Sequence, residues 1–230
     1  PMPKKQKLAI IALSSCEGCQ FAILDLGKKF LKILRDFELV EFSLIEDEPD
    51  LSKYDICLVE GSVITKIDDK KLRSARKKSK ILVSLGACAC VGGVPERINP
   101  KIRPLKELVK IDLEIPGCPP NNKEIFKMLY ELKLGKIPKI PQKPVCSECP
   151  LLRQGKCFLL QKKLCLGSIT LAGCEAICLK SNYRCEGCRG PIKNKEIIKN
   201  TLKFFNKIAT KKEITHLIQK FGLEQEIYED

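Results

Sequence analysis

Residues Lys7–Gln20, with the sequence KLAIIALSSCEGCQ, join an apolar run to a loop that carries two cysteines. The apolar run, Lys7–Leu13, is short and continuous, which is typical of a parallel β-strand buried on both faces. The following residues, Ser14–Gln20, form a polar turn that contains Cys16 and Cys19. The segment therefore predicts a buried strand with two thiols at its carboxyl end.

Similar apolar runs recur along the amino-terminal part of the chain, and amphipathic or charged segments separate them. The predicted strands are Lys7–Leu13, Phe37–Ile45, Tyr54–Val59, Lys80–Leu85 and Leu113–Ile115. The first predicted helix is Phe21–Arg35, which has an apolar stripe of Phe21, Leu24, Leu31 and Leu34. The second is Asp68–Lys78, and the third is capped by Asn121 and ends near Leu134. This alternation predicts an α/β fold, a doubly wound parallel sheet with helices on both faces.

Four cysteines follow the ends of predicted strands. Cys16 and Cys19 follow the first strand, Cys88 the fourth and Cys118 the fifth. Because the carboxyl ends of parallel strands lie along one edge of a sheet, we expect these thiols to converge there. The neighbouring glycines are Gly18, Gly86 and Gly117, which allow close approach of the backbone to a bulky cofactor. A four-thiolate metal centre is the prediction, and buried core cysteines are the alternative.

Two other cysteines of this half do not fit that set. Cys57 lies inside the third predicted strand, so we expect it in the core. Cys90 is two residues beyond Cys88 and could compete with it as a ligand. The chain has 14 cysteines, so setting these two aside leaves twelve, which is three sets of four.

Eight of those twelve lie between Cys146 and Cys188, with the spacing C-x2-C-x7-C-x7-C and then C-x3-C-x6-C-x2-C. The alternatives are disulfides, zinc and iron–sulfur clusters. The irregular gaps and apolar neighbours favour clusters, because a dry shell tunes a redox centre. The natural division places Cys146, Cys149, Cys157 and Cys165 in one centre, and Cys174, Cys178, Cys185 and Cys188 in the other. Exchange of a ligand between the two centres is a possible variation.

The composition predicts where the chain divides and where the protein is found. The Pro- and Lys-rich segment Lys136–Pro144 predicts a linker, giving a sheet domain at 1–139, a cluster domain at 140–192 and a helical tail at 193–230. No apolar run approaches the length of a transmembrane helix or signal peptide, so we expect no membrane contact and a cytoplasmic, reducing location.

Charge and the histidine count argue against two other function classes. The net charge is +14, but the basic residues are dispersed and aromatic residues are scarce, so nucleic acid is not an expected partner. His216 is the only histidine and lies in the tail, where we expect a surface or interfacial position; this excludes a histidine-based hydrolase. In the same tail, Thr210 and Glu213 predict a capping box. The apolar positions Ile214, Leu217, Ile218 and Phe221 predict a helix packed on the body or on a neighbouring subunit.

Several of these motifs are similar to those of one known family. The motifs SCEGCQ (Ser15–Gln20), GACACVGG (Gly86–Gly93) and PGCP (Pro116–Pro119) resemble the proximal-cluster motif of nickel–iron hydrogenase small subunits. The motifs CLG (Cys165–Gly167), AGCEAIC (Ala172–Cys178) and CEGCRGP (Cys185–Pro191) resemble the cluster-bearing part of the same family. The resemblance covers about residues 7–191, and VEGSV (Val59–Val63) fits the small (delta) subunits of cytoplasmic, NADP-linked sulfhydrogenases.

This resemblance implies a flavodoxin-like sheet followed by an iron–sulfur domain, and three 4Fe–4S clusters. Cys88 rather than Cys90 would be the proximal ligand. The implied ligands are Cys16, Cys19, Cys88 and Cys118 for the proximal cluster, Cys174, Cys178, Cys185 and Cys188 for the medial cluster, and Cys146, Cys149, Cys157 and Cys165 for the distal cluster. The implied partners are a large subunit with the nickel–iron site and flavin or iron–sulfur subunits that react with NAD(P).

The chain departs from many respiratory relatives, which have a distal histidine ligand and a proline in place of one medial cysteine. It has neither, which favours three 4Fe–4S clusters. Its CLGSIT (Cys165–Thr170) replaces the frequent CLGPxT. Two alternatives remain: a proximal-cluster subunit of a complex I-like or energy-converting membrane enzyme, and a zinc-stabilised basic binding module.

Overall fold

A computed structural model describes residues 5–45 and 53–228 of the chain. Five strands form one parallel sheet in the order β2-β1-β3-β4-β5. The strands are β1 (Gln6–Ala12), β2 (Phe37–Phe42), β3 (Tyr54–Glu60), β4 (Ser79–Leu85) and β5 (Leu113–Ile115). The strand order reverses between β1 and β3, as in flavodoxin-like folds. The predicted α/β class and all five predicted strands are confirmed.

Eleven α-helices are described together with three short 3-10 turns. The helices are α1 (Gly18–Leu24), α2 (Lys28–Asp36), α3 (Lys66–Lys78), α4 (Ala87–Val91), α5 (Gly93–Ile98), α6 (Asn122–Lys133), α7 (Pro150–Arg153), α8 (Ile177–Lys180), α9 (Lys195–Phe205), α10 (Lys211–Gln219) and α11 (Glu224–Tyr228).

Helices cover both faces of the sheet. Successive residues of a strand point to opposite faces, so neighbouring residues of β1 lie in different cores. Leu8 and Ile10 of β1 belong to a core that includes residues of α1, α2 and α6. Ala9 and Ile11 belong to a second core on the other face, which includes Leu72 of α3. Both faces of β1 are therefore buried, which explains why its sequence is continuously apolar.

The prediction of one helix over Phe21–Arg35 was wrong. Two helices, α1 and α2, occupy this region, and Gly27 separates them with φ 55°. That left-handed conformation is accessible to glycine but is incompatible with a continuous right-handed helix.

The predicted apolar stripe of the same segment was also misplaced. Phe21 is 51% exposed and Leu31 is 64% exposed, whereas Ile23 and Ile33 are fully buried. The break at Gly27 resets the helical phase, so apolar residues on the two sides of it do not form one continuous stripe.

The cysteine-rich segment packs against the tail. Its residues Leu166 and Ile169 share a core with Phe205 of α9 and Leu217 and Ile218 of α10. The predicted capping box is present, with Thr210 accepting from the Glu213 amide. His216 is exposed, as expected. The domain boundaries at 139/140 and 192/193 remain a prediction.

Among the described residues, no helix is both long and apolar enough to span a lipid bilayer.

Candidate metal centres

The first centre lies at the carboxyl edge of the sheet. The loop after β1 carries Cys16, the first turn of α1 carries Cys19, the first turn of α4 carries Cys88, and the loop after β5 carries Cys118. Cys16 and Cys118 are exposed and the other two are partly buried. Burial, the Cys118 and Cys16 thiolates and Glu60 raise the pKa of Cys88 to about 11, an effect that the Val94 backbone amide partly opposes. The four thiols predicted to converge therefore lie within electrostatic reach of one another.

Hydrogen bonds between loops fix this edge. The Ser14 amide and hydroxyl donate to the Asp68 carboxylate at 3.0 and 2.9 Å, which ties the β1 loop to α3. The Gly86 amide donates to the Ile115 carbonyl, and the Ala87 amide donates to the Gly117 carbonyl, both at 2.8 Å. The loop with Cys88 is thereby held against the loop with Cys118.

Glycines leave room for the sulfur atoms at this edge. A Cβ on Gly86 would lie 2.3 Å from Cys19 Sγ, and a Cβ on Gly93 would lie 3.1 Å from Cys88 Sγ. Both glycines have a positive φ, of 91° and 62°. The backbone therefore approaches these sulfurs more closely than any residue with a side chain would allow.

The residue Glu60 belongs to this centre, although the spacing of the cysteines gave no reason to expect it. Its carboxylate is 2% exposed and accepts from the Cys19 amide at 3.2 Å and from the Gln20 side chain at 2.7 Å. Burial raises the pKa of Cys19 far above its usual range, and the Glu60 charge adds to this effect. A charged residue directly after the apolar run ICLV was the available signal in the sequence.

The two cysteines set aside from the three sets lie in the core. Cys57 has no exposed surface, and burial raises its pKa to about 12. Cys90 is 1% exposed, lies 3.3 Å from the Ser84 hydroxyl and donates to the Ser84 carbonyl. The side chain of Cys90 thus faces the sheet, which leaves Cys88 at the edge.

The second group is the one that begins at Cys146. Burial and the thiolates of Cys165, Cys157 and Cys149 raise the pKa of Cys146 to about 12. A Cβ on Gly167 would lie 3.6 Å from both Cys146 Sγ and Cys165 Sγ. The structure therefore brings the four cysteines of this predicted set together.

The third group lines a cavity of about 360 Å³ beside the sheet edge. The cysteines that line it are Cys118, Cys174, Cys178, Cys185 and Cys188. Burial raises the pKa of Cys188 to about 12, and the thiolates of Cys174, Cys118 and Cys178 contribute, while the Cys118 amide opposes the rise. The four cysteines of the last predicted set therefore share one cavity with a cysteine of the first.

Adjacent groups touch one another in a fixed order. Cys118 of the first group and Cys188 of the third line the same cavity. The Cys185 amide of the third group donates to Cys165 Sγ of the second at 3.3 Å. The third group is therefore the middle one of the three.

A buried ion pair beside the third group was also missed. Arg189 is 1% exposed and forms two hydrogen bonds with Glu124 of α6, at 2.6 and 2.8 Å. The signal in the sequence was an arginine directly after Cys188 in a segment with no other reason to bury a charge.

These donor sets fit iron–sulfur clusters. Burial raises the pKa of at least one thiol in each group, such as Cys19, Cys146 and Cys185, so a metal that replaces the proton is needed to stabilise the thiolate there. Burial raises the pKa of Cys88, Cys165, Cys174 and Cys185, and nearby backbone amides partly oppose this rise. These amides, which would donate to bound sulfur, belong to Val94, Gly167, Ala176 and Gly187. Hydrogen bonds of this kind are one means by which proteins set cluster potentials.

Within 5–45 and 53–228, no three His, Cys, Asp or Glu side chains lie close enough to hold a single ion. Thiolates around one tetrahedral zinc would lie about 3.8 Å apart, given a Zn–S distance of about 2.3 Å. A four-iron cluster is larger and binds one thiolate at each iron, so its thiolates lie farther apart than those around one zinc ion.

Comparison with known proteins agrees with these features. Residues 16–132 match the family described as NADH ubiquinone oxidoreductase, 20 Kd subunit. The chain is 36% identical over 207 residues to sulfhydrogenase 2 subunit delta of Pyrococcus furiosus, covering 80% of this chain and 86% of that protein.

Two solved structures share the fold. A chain of an NAD+-reducing [NiFe]-hydrogenase in the H2-reduced state is 26% identical, with a TM-score of 0.55 over 60% of this chain and 96% of that one. The actinobacterial-type NiFe-hydrogenase from Ralstonia eutropha H16 has a TM-score of 0.69 over 100% of this chain and 93% of that one. The latter is 15% identical and shows the fold alone.

Proposed function

Because the chain belongs to the family of nickel–iron hydrogenase small subunits and the 20 Kd subunit of NADH ubiquinone oxidoreductase, we propose that it is the electron-transfer small subunit of a nickel–iron hydrogenase. The observation that carries the proposal is the order of the three cysteine groups. Cys118 and Cys188 line one cavity, and the Cys185 amide donates to Cys165 Sγ, so the groups form one continuous series.

In this proposal each group holds one 4Fe–4S cluster. Cys16, Cys19, Cys88 and Cys118 hold the proximal cluster, Cys174, Cys178, Cys185 and Cys188 the medial, and Cys146, Cys149, Cys157 and Cys165 the distal. The clusters supply one-electron carriers, and the chain supplies thiolates, a dry shell and backbone donors. The H2-activating site belongs to the large subunit.

Exposed apolar side chains support an interface with that large subunit at the sheet edge. Phe21 follows Cys19, Ile64 and Ile67 follow β3, and Val94 follows the Cys88 turn, and all four are exposed. The thiols of Cys16 and Cys118, at the carboxyl ends of strands of the same sheet, are exposed as well. An exposed apolar surface is typical of a region that a partner covers.

We further propose that the distal group faces a flavin or iron–sulfur subunit that reacts with NAD(P). The support is the likeness to a chain of an NAD+-reducing hydrogenase. The similarity to sulfhydrogenase 2 subunit delta covers 80% of this chain, whereas the family match ends at residue 132, so this similarity reaches the segment that carries the distal group.

The test is a count of acid-labile sulfide in a complex of this chain with the large subunit, purified without oxygen. Three 4Fe–4S clusters require about twelve sulfides per complex. About four sulfides would indicate a complex I-like subunit with the proximal cluster alone. Stoichiometric zinc with little sulfide would contradict the redox function of the cysteine-rich segment.

A matched pair of substitutions tests the ligand assignment. Cys118→Ser removes a proximal ligand, so we expect loss of H2-dependent dye reduction and of about four sulfides per complex. Cys90→Ser changes a thiol that faces Ser84 in the core, so we expect the sulfide count and activity of the wild type. Full activity in Cys118→Ser would refute the proximal assignment.

A further inference from the structure

The ion pair between Arg189 and Glu124 is buried between the sheet and the cysteine-rich segment. The guanidinium binds the carboxylate through both terminal nitrogens, Nη1 to Oε2 at 2.6 Å and Nη2 to Oε1 at 2.8 Å. The arginine side chain is 1% exposed and the glutamate side chain is 13% exposed. Removing one partner of such a pair leaves an uncompensated buried charge, so the two charges are mutually dependent.

The remaining guanidinium donors bind three backbone carbonyls in two segments of the chain. Arg189 Nη1 donates to the Pro116 carbonyl at 2.7 Å, and Nε donates to the carbonyls of Leu171 and Ala172, each at 3.1 Å. Pro116 begins the loop that carries Cys118, and Ala172 precedes Cys174 by two residues. One side chain therefore links the loop of the proximal set to the segment of the medial set.

The backbone is shaped to admit this pair. A Cβ on Gly173 would lie 2.4 Å from Arg189 Nη2 and 2.6 Å from Glu124 Oε1. Gly173 has φ 123°, a conformation that residues with a side chain rarely adopt. Glycine beside Cys174 is thus required for the pair to lie against the medial set.

We propose that Arg189 and Glu124 are positioning residues that set the reduction potential of the medial centre through two opposed charges. This inference rests on the proposed function, since it assumes a redox centre on Cys174, Cys178, Cys185 and Cys188. Arg189 follows one of these ligands in sequence, and its charge lies within electrostatic reach of Cys174 and Cys188. Glu124 balances that charge from the side of α6.

The two charges predict opposite effects. A positive charge near the centre favours the reduced form, which carries one electron more, and a negative charge disfavours it. Glu124→Gln leaves the Arg189 charge unbalanced and raises the midpoint potential. Arg189→Gln leaves the Glu124 charge unbalanced and lowers it. A purely structural role would loosen the centre in both variants and would not give shifts of opposite sign.

The experiment is a redox titration of the complete hydrogenase complex followed by electron paramagnetic resonance. The medial signal is the one that Cys178→Ser alters. We expect Glu124→Gln to increase the reduced-to-oxidised ratio at fixed potential about tenfold, which is about 59 mV for a one-electron couple. Arg189→Gln is titrated at alkaline pH, so that the freed Glu124 carboxylate stays ionised. We expect this variant to decrease the reduced-to-oxidised ratio at the same potential.

Lys123→Gln is the matched control, because Lys123 precedes Glu124 on α6 and forms an exposed ion pair with Glu175. Solvent screens exposed pairs, so we expect no shift there. Shifts of the same sign, or no shift in Glu124→Gln, would overturn the inference. If Arg189→Gln does not assemble, Arg189→Lys replaces it in the test. This variant retains the positive charge, so its medial centre must keep the wild-type potential, whereas Glu124→Gln must raise the potential.

The experiment separates the proposed function from the role of the ion pair. A wild-type complex without a reducible medial signal would refute the proposed function. A wild-type complex with that signal, whose potential does not respond to Glu124→Gln, would refute only the role of the ion pair.

Discussion

The close approach of Gly86 to Cys19 makes Gly86→Ala a sharp test of the proximal centre. The added Cβ would lie 2.3 Å from Cys19 Sγ, whereas ordinary contact begins at 3.4 Å. One of the two groups must therefore move by about 1.1 Å (3.4 minus 2.3). Because metal sites tolerate ligand displacements of about 0.2 Å, a shift of this size removes Cys19 from a ligand position.

The backbone adds to the cost of this substitution. Gly86 has φ 91° and ψ 164°, a region that is essentially restricted to glycine. Adopting it with a side chain costs about 1–3 kcal/mol, and overpacking adds about 1–3 kcal/mol. We expect the sheet to survive this cost and the proximal cluster to be lost.

The assay is the acid-labile sulfide count of the complex with the large subunit, together with H2-dependent dye reduction. Gly86→Ala should lower the count from about twelve to about eight and abolish dye reduction. Gly135→Ala is the control, because Gly135 also has a positive φ, of 75°, but nothing lies within 4 Å of its Cβ position. The control should keep the wild-type sulfide count.

A full sulfide count and normal activity in Gly86→Ala would refute the assignment of Cys19 as a ligand. Loss of sulfide in Gly135→Ala as well would show that backbone strain alone accounts for the loss.

Two further substitutions test what holds the centres in place. Asp68→Asn should cost about 1–3 kcal/mol at neutral pH, measured by thermal unfolding, because the carboxylate accepts from Ser14 and Thr65. Burial tends to raise the pKa of Asp68, but these hydrogen bonds bring it below 3.8. The stabilisation by the carboxylate is therefore present above pH 3.8 and declines as the pH falls through the lowered pKa. A cost of Asp68→Asn that persists well below that pKa would contradict this account. Leu217→Ala should lower the free energy of unfolding by about 2–5 kcal/mol, because Leu217 is 1% exposed in the core shared by the tail and the cysteine-rich segment. Unchanged resistance of the tail to proteolysis in this variant would contradict that packing.

The strands and the ligand loops were predictable because both follow local rules. A parallel strand buried on both faces requires a continuous apolar run, and KLAIIAL of β1 and YDICLV of β3 meet that requirement. Cysteines directly after such runs must lie at the carboxyl edge, whatever the order of the strands. The convergence of Cys16, Cys88 and Cys118 therefore followed without knowledge of the sheet topology.

The break between α1 and α2 was not predictable from apolar periodicity. Phe21 and Leu31 match one helical stripe, but Gly27 interrupts the helix and the two residues remain exposed. Apolar periodicity indicates which residues share a face of one continuous helix. A single glycine with positive φ ends that helix, so residues beyond it no longer share the face. Exposed apolar residues at a partner surface give the same pattern as core residues.

The partners of buried charges were equally inaccessible. Arg189 and Glu124 are 65 residues apart, and the spacing of either residue in the sequence does not indicate the other. Glu60 ends an apolar strand, and its role depends on the loop after β1, which pairs with it only in the folded sheet. Such contacts are set by tertiary structure, whereas the cysteine pattern is set within each segment.

The tail provides the dry shell that the proposed medial and distal centres require. A Cβ on Gly187 would lie 2.5 Å from a methyl carbon of Leu223 and 2.9 Å from one of Leu166, so the turn between Cys185 and Cys188 is enclosed by apolar side chains. Leu223 comes from the tail, which lies outside the motifs of the resemblance. Burial and solvent exclusion set cluster potentials. Because the tail encloses this turn, the packing of α9 and α10 is linked to the proposed electron transfer. In the proposed function, the tail therefore contributes apolar contacts to the surroundings of the centres, although it supplies no thiolate.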